Sequence, residues 1–168
     1  QIVLSKFFKN GDFRSGYYRD QTILMSQGHL SVREIFSALY ANTDNKLEPM
    51  SGGRQMGGHF VTRSIDEEGN YLNLINQKNH SSDISPVAGQ IPRLIGLGQA
   101  SKIYRKLKIS NSEKFSKNGN EIAWGTIGNA ATSEGIFFES FNAAGVIQAP
   151  IIISVWDDEY GISVHNNL

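Results

Sequence analysis

The stretch WGTIGNAATSEGIFFESFNAAGVIQAPIIISVWDDEYGIS, from Trp124 to Ser163, is the most informative part of this chain. It predicts a strand, a tight turn of small residues, a helix and a second, buried strand that ends in two carboxylates. In a parallel strand–helix–strand unit the two strand ends lie side by side at one edge of the sheet, where the helix N-terminus also points. Asn129 and Asp158 are therefore predicted to be neighbours in an α/β fold.

The side chains predicted at this edge suit a metal ion bound together with a diphosphate. Oxygen atoms of Asn129 and Asp158 can converge on a hard cation, while backbone N–H groups of the turn bind phosphate oxygens. Two plainer interpretations stay open at this point. Small-residue turns are common between the strands and helices of doubly wound sheets, and two aspartates after a strand often form only a solvated turn.

Composition limits the classes of protein to consider. The chain of 168 residues has the length of a single domain, residues 1–168, and can bury a substantial core. Its 16 basic and 16 acidic side chains give a net charge of +0, so we expect neither nucleic acid nor a membrane as partner. Cysteine is absent, which excludes disulfides and thiolate sites. The sequence starts at Gln1 without a methionine, and we interpret it as part of a longer polypeptide.

A first helix is predicted directly after Ser31. Ser31 and Glu34 form a capping box, and the apolar residues that follow recur with helical spacing on one face. We expect this face to pack against the sheet. Its members are Val32, Ile35, Phe36, Leu39 and Tyr40.

A second helix is predicted to begin near residues 85–90 and to continue to about Leu107. Pro92 implies either a start close to that position or a kink, because proline cannot donate a backbone hydrogen bond. Glycines within this helix would let another backbone approach closely. The segments 42–58 and 108–120 are predicted to be loops, since both are polar and the first is rich in glycine.

The stretch quoted above resembles the thiamine diphosphate motif, in which a Gly-Asp-Gly triplet is followed, after a spacer, by an Asn-Asn pair. Here the motif opens as Gly128-Asn129-Ala130 and closes as Asp157-Asp158, with a spacing that suits the family. The chain is most similar to the alpha part of the decarboxylating component of 2-oxo acid dehydrogenases of the pyruvate and branched-chain types. The resemblance covers residues 16–163. It implies a thiamine diphosphate-binding fold, a mostly parallel sheet flanked by helices.

The resemblance also implies a magnesium site, but with exchanged ligands. The family takes a carboxylate from the first triplet and a carboxamide from the second, whereas this chain offers Asn129 and Asp158. One anionic and one neutral oxygen donor remain, which Mg²⁺ accepts when phosphates are also present. The third implied ligand is the backbone carbonyl of Tyr160. The implied diphosphate loop consists of Gly128, Asn129, Ala130 and Ala131.

Two departures from the family pattern bear on cofactor affinity. Ala130 replaces the second glycine of the triplet and adds a methyl group where backbone must approach a phosphate. Trp156 stands where branched-chain relatives place an arginine that helps to hold the diphosphate. Binding is therefore expected to be weaker or differently shaped than in those relatives.

Tyr18 and Arg19 match a Tyr-Arg pair that binds the diphosphate in the family. A guanidinium offers a planar fork of donors to a phosphate, and a phenol adds another donor. The resemblance therefore implies that both side chains bind the cofactor. A surface pair held by cation–π stacking is the alternative.

Ser85 and Val87 match a segment that runs beneath the aminopyrimidine ring of the cofactor in relatives. The resemblance implies that both residues bind this ring, while the residues alone also allow a serine cap at a helix start. Some relatives bind potassium here through a Thr-Gln pair. Gly89-Gln90 lacks that hydroxyl, so the resemblance does not extend to a potassium site.

Arg54, Gln55, Met56 and His59 resemble a Gly-Arg-Gln-Met-x-x-His segment of the branched-chain type. Imidazole titrates near neutral pH, so His59 is a candidate for proton exchange with substrate, and a structural hydrogen-bonding role is the alternative. No other catalytic residue is identified. The remaining histidines match no motif and are predicted to be surface or loop residues: His29, His80 and His165.

The function implied by the resemblance is thiamine diphosphate-dependent oxidative decarboxylation of a 2-oxo acid, with acyl transfer to a lipoyl-bearing acyltransferase. The pyrimidine-binding domain is not found in this sequence, so a beta-type subunit or domain should supply it in an α2β2-like assembly. This chain alone should then be inactive. The implied compartment is the bacterial cytoplasm or the mitochondrial matrix of a eukaryote.

Two other functions stay open. One is a different thiamine enzyme, such as an acetoin-cleaving dehydrogenase or a transketolase-like protein. The other is a non-catalytic module that has kept the fold and lost the cofactor. The sequence does not distinguish which 2-oxo acid would be used.

Overall fold

The chain forms a four-stranded parallel sheet, and the computed structural model describes residues 1–55 and 57–167. The strand order is β2-β1-β3-β4, and a two-stranded antiparallel hairpin, β5-β6, follows the last strand. The strands are β1 (Phe13–Tyr17), β2 (Asn79–Ile84), β3 (Ala123–Gly128), β4 (Ile151–Trp156), β5 (Tyr160–Gly161) and β6 (Val164–His165). The helices are α1 (Ile2–Phe7), α2 (Gln21–Ser26), α3 (Val32–Leu39), α4 (Gln90–Leu107) and α5 (Gly135–Ile147).

This architecture confirms the prediction of an α/β fold with a mostly parallel sheet flanked by helices. Neighbouring residues of β1 point to opposite faces of the sheet, as the pleat requires. Ser15 donates a hydrogen bond to the carbonyl of Gln90 in α4, whereas Arg14 points to the face that carries Phe8 and α2. Described helices therefore cover the sheet on both sides. No helix in the described part of the chain is long and apolar enough to cross a bilayer.

The predicted strand–helix–strand unit is present as β3, α5 and β4. The two strands pair in parallel from Ala123 opposite Ile151 to Gly128 opposite Trp156. The prediction that the second strand is buried is wrong. β4 lies at the edge of the described sheet, and its side chains Ile152 and Val155 are 38% and 49% exposed.

Helix α4 begins at Gln90 and ends at Leu107, as predicted. Pro92 is its third residue, where the backbone N–H has no partner within the helix, so a start near the proline explains its presence. The close approach at Gly98 is mainly by side chains and not by backbone as predicted, since a Cβ atom there would lie 2.6 Å from Cγ2 of Ile151 and 3.5 Å from the backbone N of Pro150. Ile91 and Leu94 of this helix are fully buried over the sheet.

Helix α3 has the predicted capping box but not the predicted packing. The Ser31 hydroxyl accepts a hydrogen bond from the Glu34 N–H, and the Glu34 carboxylate accepts one from the Ser31 N–H. Ala38 is its one buried residue. The apolar face that should lie on the sheet is largely exposed: Val32 54%, Phe36 52%, Leu39 58% and Tyr40 80%.

A buried polar cluster centred on Arg14 joins β1 to β2. The Arg14 guanidinium is 1% exposed and donates hydrogen bonds to Asp20 at 2.6 Å, Asp83 at 2.5 Å and Nδ1 of His80 at 2.9 Å. A Cβ atom at Gly16 would overlap the guanidinium, so only glycine fits there. Two carboxyl groups share one cation, and burial raises the pKa of Asp83.

The prediction that His80 is a surface or loop residue is wrong, because it lies in β2 and is 1% exposed. Burial, and then the Arg14 charge, lower the pKa of His80 to about 2, so the ring is neutral. Its Nδ1 accepts from Arg14, so its Nε2 carries the proton and donates to Gln27. His29 lies half-buried in a loop, and His165 belongs to β6.

Candidate functional site

A cleft of about 300 Å³ opens at the C-terminal ends of β1, β3 and β4. This is the edge at which parallel α/β sheets bind ligands. Arg19 is the only Lys or Arg side chain among the residues that line the cleft in the described structure, and Asp20, Asp157 and Asp158 are the acidic ones. The other lining residues are Gln1, Tyr17, Val87, Ala88, Gln90, Thr126, Ile127, Gly128, Ala131 and Trp156.

The structure brings the two predicted metal-binding segments together. Asn129 directly follows the last paired residue of β3, and its backbone N–H donates to the carbonyl of Trp156 at 3.2 Å. Asp157 and Asp158 follow Trp156 on the neighbouring strand. The carboxamide of Asn129 makes no hydrogen bond to any described residue, but Asn129 is not among the residues that line the cleft.

The carboxylates after β4 also have a role in a turn, as the plainer interpretation expected. Asp157 accepts a hydrogen bond from the Glu159 N–H at 2.8 Å, and Asp158 accepts one from the Tyr160 N–H at 3.2 Å through Oδ1. Both side chains are nevertheless exposed, and Oδ2 of Asp158 has no hydrogen-bond partner among the described residues. The turn therefore orients Asp158 without using all of its oxygen atoms.

The backbone carbonyl of Tyr160 is also left free by the hairpin. The Asn166 N–H donates to the Glu159 carbonyl at 2.8 Å, so residues 159 and 166 form a hydrogen-bonded pair. Tyr160 and His165, the next pair, are then of the non-hydrogen-bonded kind, whose carbonyls point away from the partner strand. Amide, carboxylate and carbonyl oxygens suit Mg²⁺ in kind. No three histidine, cysteine or acidic side chains of the described residues are arranged so that they could hold a metal ion by themselves, so phosphate and water oxygens would complete such a site.

The predicted diphosphate loop forms a short 3₁₀ turn between β3 and α5. Ala130–Ser133 make this turn, and α5 starts only at Gly135. Gly128 and Ala131 line the cleft, whereas Ala130 is exposed and does not. A Cβ atom at Gly128 would meet nothing within 4 Å, so backbone is open to a ligand there.

Tyr17, Tyr18 and Arg19 form one stacked group, in which the two tyrosines face different neighbours. Arg19 lies over both rings, 5.0 Å from the centroid of Tyr17 and 5.5 Å from that of Tyr18, so cation–π stacking is present. Its Nη2 donates to the Tyr17 hydroxyl at 3.2 Å. Tyr17 lines the cleft, while Tyr18 stacks on His59 at 5.8 Å. The hydrogen bond with Tyr17, more than the nearby Asp158, raises the pKa of Arg19.

Val87 lines the cleft, and Ser85 lies next to it in a loop before α4. The Ser85 hydroxyl contacts Nε2 of His59. The alternative of a serine cap is wrong, because Gly89 is the N-cap of α4 and no side chain caps that end. Nδ1 of His59 is buried without a described partner. Met56, from the same predicted segment as His59, lies outside the described residues.

Three buried polar residues that no sequence motif indicated as ligands also line the cleft, namely Asp20, Gln90 and Thr126. Asp20 accepts hydrogen bonds from Thr126 Oγ1 at 2.5 Å and from the Tyr17 N–H at 3.0 Å. Gln90 donates to the Thr126 carbonyl at 2.8 Å, and its own Oε1 is buried with no partner among the described residues. Such an acceptor fits a ligand that carries N–H groups or positive charge. Asp20 adjoins the Tyr-Arg pair in sequence, which was the available signal.

Trp156 lines the cleft at the position where the family arginine was expected. Its Nε1–H donates to the Ser154 hydroxyl at 2.9 Å and so is not offered to a phosphate. The cationic side of the cleft therefore depends on Arg19. The expectation of a weaker or differently shaped diphosphate site stays a prediction.

Sequence comparison identifies the family. The family described as "Dehydrogenase E1 component" matches residues 1–167. The 2-oxoisovalerate dehydrogenase subunit alpha of Bacillus subtilis (strain 168) is 28% identical over 153 residues, which cover 91% of this chain and 37% of the relative. The mitochondrial subunit alpha of Caenorhabditis elegans is 28% identical over 152 residues, 90% of this chain and 28% of the relative. The human mitochondrial subunit alpha is 27% identical over 155 residues, which cover 92% of this chain and 28% of the relative.

The chain thus spans little more than a third of the length of the Bacillus relative and less of the others. The family match extends over nearly the whole sequence and includes every residue that lines the cleft. This chain belongs to the dehydrogenase E1 component family.

Proposed function

We propose that this chain is the diphosphate-binding part of a thiamine diphosphate-dependent 2-oxo acid dehydrogenase component of the branched-chain type. One observation carries the proposal: Arg19, Asp158 and the open Gly128 backbone line a single cleft. A cation for phosphate and a carboxylate for a metal are what a magnesium diphosphate requires. The relatives are 2-oxoisovalerate dehydrogenase subunits, and 2-oxoisovalerate is a branched-chain 2-oxo acid, which supports the branched-chain type.

The donor chemistry of the described residues fits this cofactor. Magnesium would be held by the Asn129 carboxamide, the Asp158 carboxylate and the Tyr160 carbonyl. The diphosphate would be held by Tyr18, Arg19 and the backbone of the loop after β3. Ser85 and Val87 would bind the aminopyrimidine ring. Gly128, Asn129, Ala130 and Ala131 are the loop residues concerned.

Thiamine diphosphate, when bound, supplies the thiazolium carbon that adds to the carbonyl of a 2-oxo acid and accepts the electrons released with carbon dioxide. The chain contributes position and electrostatics. Arg19 and the metal ligands would fix the diphosphate end, and Ile91 and Leu94 of α4 are fully buried over the sheet that carries these residues. Fixing one end of the cofactor sets where its reactive end lies.

His59 remains the candidate for proton exchange. Its ring stacks on Tyr18 and contacts Ser85, so it lies beside two proposed cofactor-binding residues. The same contacts serve a structural role, in which His59 holds the loop before α4 in place. A His59→Asn variant that keeps cofactor affinity but loses turnover would favour proton exchange.

We also propose the partners that this activity needs. A beta-type subunit or domain would supply the pyrimidine-binding site in an α2β2-like assembly, and a lipoyl-bearing acyltransferase would accept the acyl group. The relatives from Bacillus subtilis and from mitochondria support a bacterial cytoplasm or a mitochondrial matrix as compartment.

The decisive experiment titrates thiamine diphosphate and Mg²⁺ into the complete assembly. Decarboxylation is then measured with an artificial electron acceptor on pyruvate, branched-chain 2-oxo acids and 2-oxoglutarate. Cofactor-dependent turnover that is highest with branched-chain acids supports the proposal. Turnover of acetoin, or of sugar phosphates, would indicate another thiamine enzyme. No binding of the cofactor would indicate a module that has lost it.

A further inference from the structure

The backbone of Tyr17, at the end of β1, is held by hydrogen bonds to buried residues. Its backbone N–H donates to the Asp20 carboxylate at 3.0 Å, and the same carboxylate oxygen accepts from Thr126 at 2.5 Å and from Arg14 at 2.6 Å. Asp20 is 2% exposed and Arg14 is 1% exposed. The phenol of Tyr17 therefore enters the cleft from a turn that is tied to both β1 and β3.

Arg19, by contrast, is exposed, and Tyr17 holds its side chain in position. Its hydrogen bond to the Tyr17 hydroxyl, at 3.2 Å, is the only one that it makes to a described residue. A guanidinium has five N–H donors, so most of them stay available for an anion. The Tyr17 oxygen accepts in this pair, so its own O–H proton is also available.

The position of the Arg19 side chain also matters because the oppositely charged Asp158 is nearby. The two opposite charges lie close enough for Asp158 to contribute to the raised pKa of Arg19. An unrestrained arginine side chain would be drawn to this carboxylate and would compete with a metal for it. The hydrogen bond to the Tyr17 hydroxyl restrains the guanidinium.

We propose that Tyr17 is a positioning residue of the diphosphate site, which holds the Arg19 guanidinium through its oxygen and donates its phenolic proton to a terminal phosphate oxygen. The inference rests on the proposed function, in that the ligand anion is the diphosphate of the cofactor. It assigns to Tyr17 a role beyond the Tyr18–Arg19 pair implied by the sequence.

The test uses Tyr17→Phe in the full-length protein assembled with its partner. The variant keeps the ring under Arg19 and removes only the hydroxyl. Calorimetric titration is done with magnesium pyrophosphate, with thiamine diphosphate plus Mg²⁺, and with thiamine, which lacks phosphate. Because hydrogen bonds to charged groups are strong, we expect about ten-fold weaker binding of the first two ligands and unchanged binding of thiamine.

Tyr71→Phe is the matched control, since Tyr71 is 57% exposed, contacts Phe115 and does not line the cleft. It should bind all three ligands as the wild type does. Two further readouts separate positioning from a general structural defect in Tyr17→Phe. The melting temperature without ligand should stay unchanged, and the concentration of thiamine diphosphate needed for half-maximal turnover should rise about ten-fold.

Equal pyrophosphate affinity in wild type and Tyr17→Phe would overturn the inference. So would a loss confined to Tyr18→Phe, which would leave the role with Tyr18. Failure of the wild type to bind thiamine diphosphate, with pyrophosphate binding still sensitive to Tyr17→Phe, would overturn the proposed function but not this inference. Binding of neither ligand by the wild type would overturn both.

Discussion

Asp158 supplies the only full negative charge among the three proposed metal ligands. Asp158→Ala is therefore expected to abolish magnesium-dependent retention of thiamine diphosphate. This effect is larger than the roughly 10–100-fold loss of metal affinity that is typical when a residue hydrogen-bonded to a metal ligand is replaced. The fold should persist because the side chain is exposed and its one hydrogen bond is to a local turn. Calorimetry with and without Mg²⁺, together with circular dichroism, measures both outcomes.

The matched control exchanges the ligands instead of removing one. Asn129→Asp combined with Asp158→Asn keeps one carboxylate and one carboxamide at the same two positions, so Mg²⁺-dependent binding should be retained. Cofactor retention that is unchanged in Asp158→Ala would count against the metal assignment.

His80 makes the stability of the fold depend on pH. Its pKa is about 2 in the folded chain and is near 6.5 when the chain is unfolded, so between these values only the unfolded chain binds the proton. The free energy of unfolding should therefore fall as pH is lowered below about 6.5, by at most about 1.4 kcal/mol per pH unit. Burial lowers the pKa of His29 and acts in the same direction. Urea unfolding at about pH 7 and about pH 5 measures the slope.

His80→Asn separates this effect from other titrations. The variant removes the imidazole, so the slope due to His80 should disappear even if the variant is less stable overall. The raised pKa of Asp83 opposes the trend where that carboxylate titrates, and it is present in both proteins. An identical pH slope in wild type and variant would contradict the role of His80.

Residues within one short motif were predictable, and residues joined across the fold were not. A short local motif indicates the chemistry of each of the residues Arg19, Asn129 and Asp158. Arg14 and His80 are 66 positions apart, and nothing near either one indicates a buried hydrogen bond between them. Tyr17 and Tyr18 are adjacent in sequence, and only the pleat of β1 shows which of them faces the cleft.

Helices α3 and α4 differ in how far their apolar side chains are buried. Phe36 in α3 is 52% exposed, whereas Leu94 in α4 is 0% exposed. Phe36→Ser should change the free energy of unfolding by less than about 1 kcal/mol, while Leu94→Ala should lower it by about 2–5 kcal/mol. Urea unfolding of both variants measures the difference. Comparable losses would mean that α3 packs on the core after all.

Elements with strong local signals were predicted correctly, namely the capping box of α3, the bounds of α4 and the β3-α5-β4 unit. Strand β2 was not, because its sequence NHSSDI is polar and shows no apolar alternation. Its burial depends on Arg14, which satisfies His80 and Asp83 from the adjacent strand. The edge position of β4 and the exposure of α3 depend on what lies beside them, which local patterns do not encode.

At the level of the entire chain, large apolar side chains remain exposed on α5. Phe138 and Phe141 of α5 are each 61% exposed, and β4 has a neighbour on one side only within the described sheet. With the proposed need for a pyrimidine-binding partner, this predicts that the chain alone does not decarboxylate 2-oxo acids, and that adding the beta-type partner restores turnover. Turnover by the chain alone, measured with an artificial electron acceptor, would contradict the prediction.

The two tryptophans of this chain lie in very different surroundings. Trp124 is 6% exposed and donates its N–H to Asp12, away from the cleft, whereas Trp156 forms part of the cleft wall. Anything that enters the cleft will alter the emission of one indole and leave the other as an internal standard. The protein thus carries its own fluorescent reporter of occupancy, at the very position where the family arginine is missing.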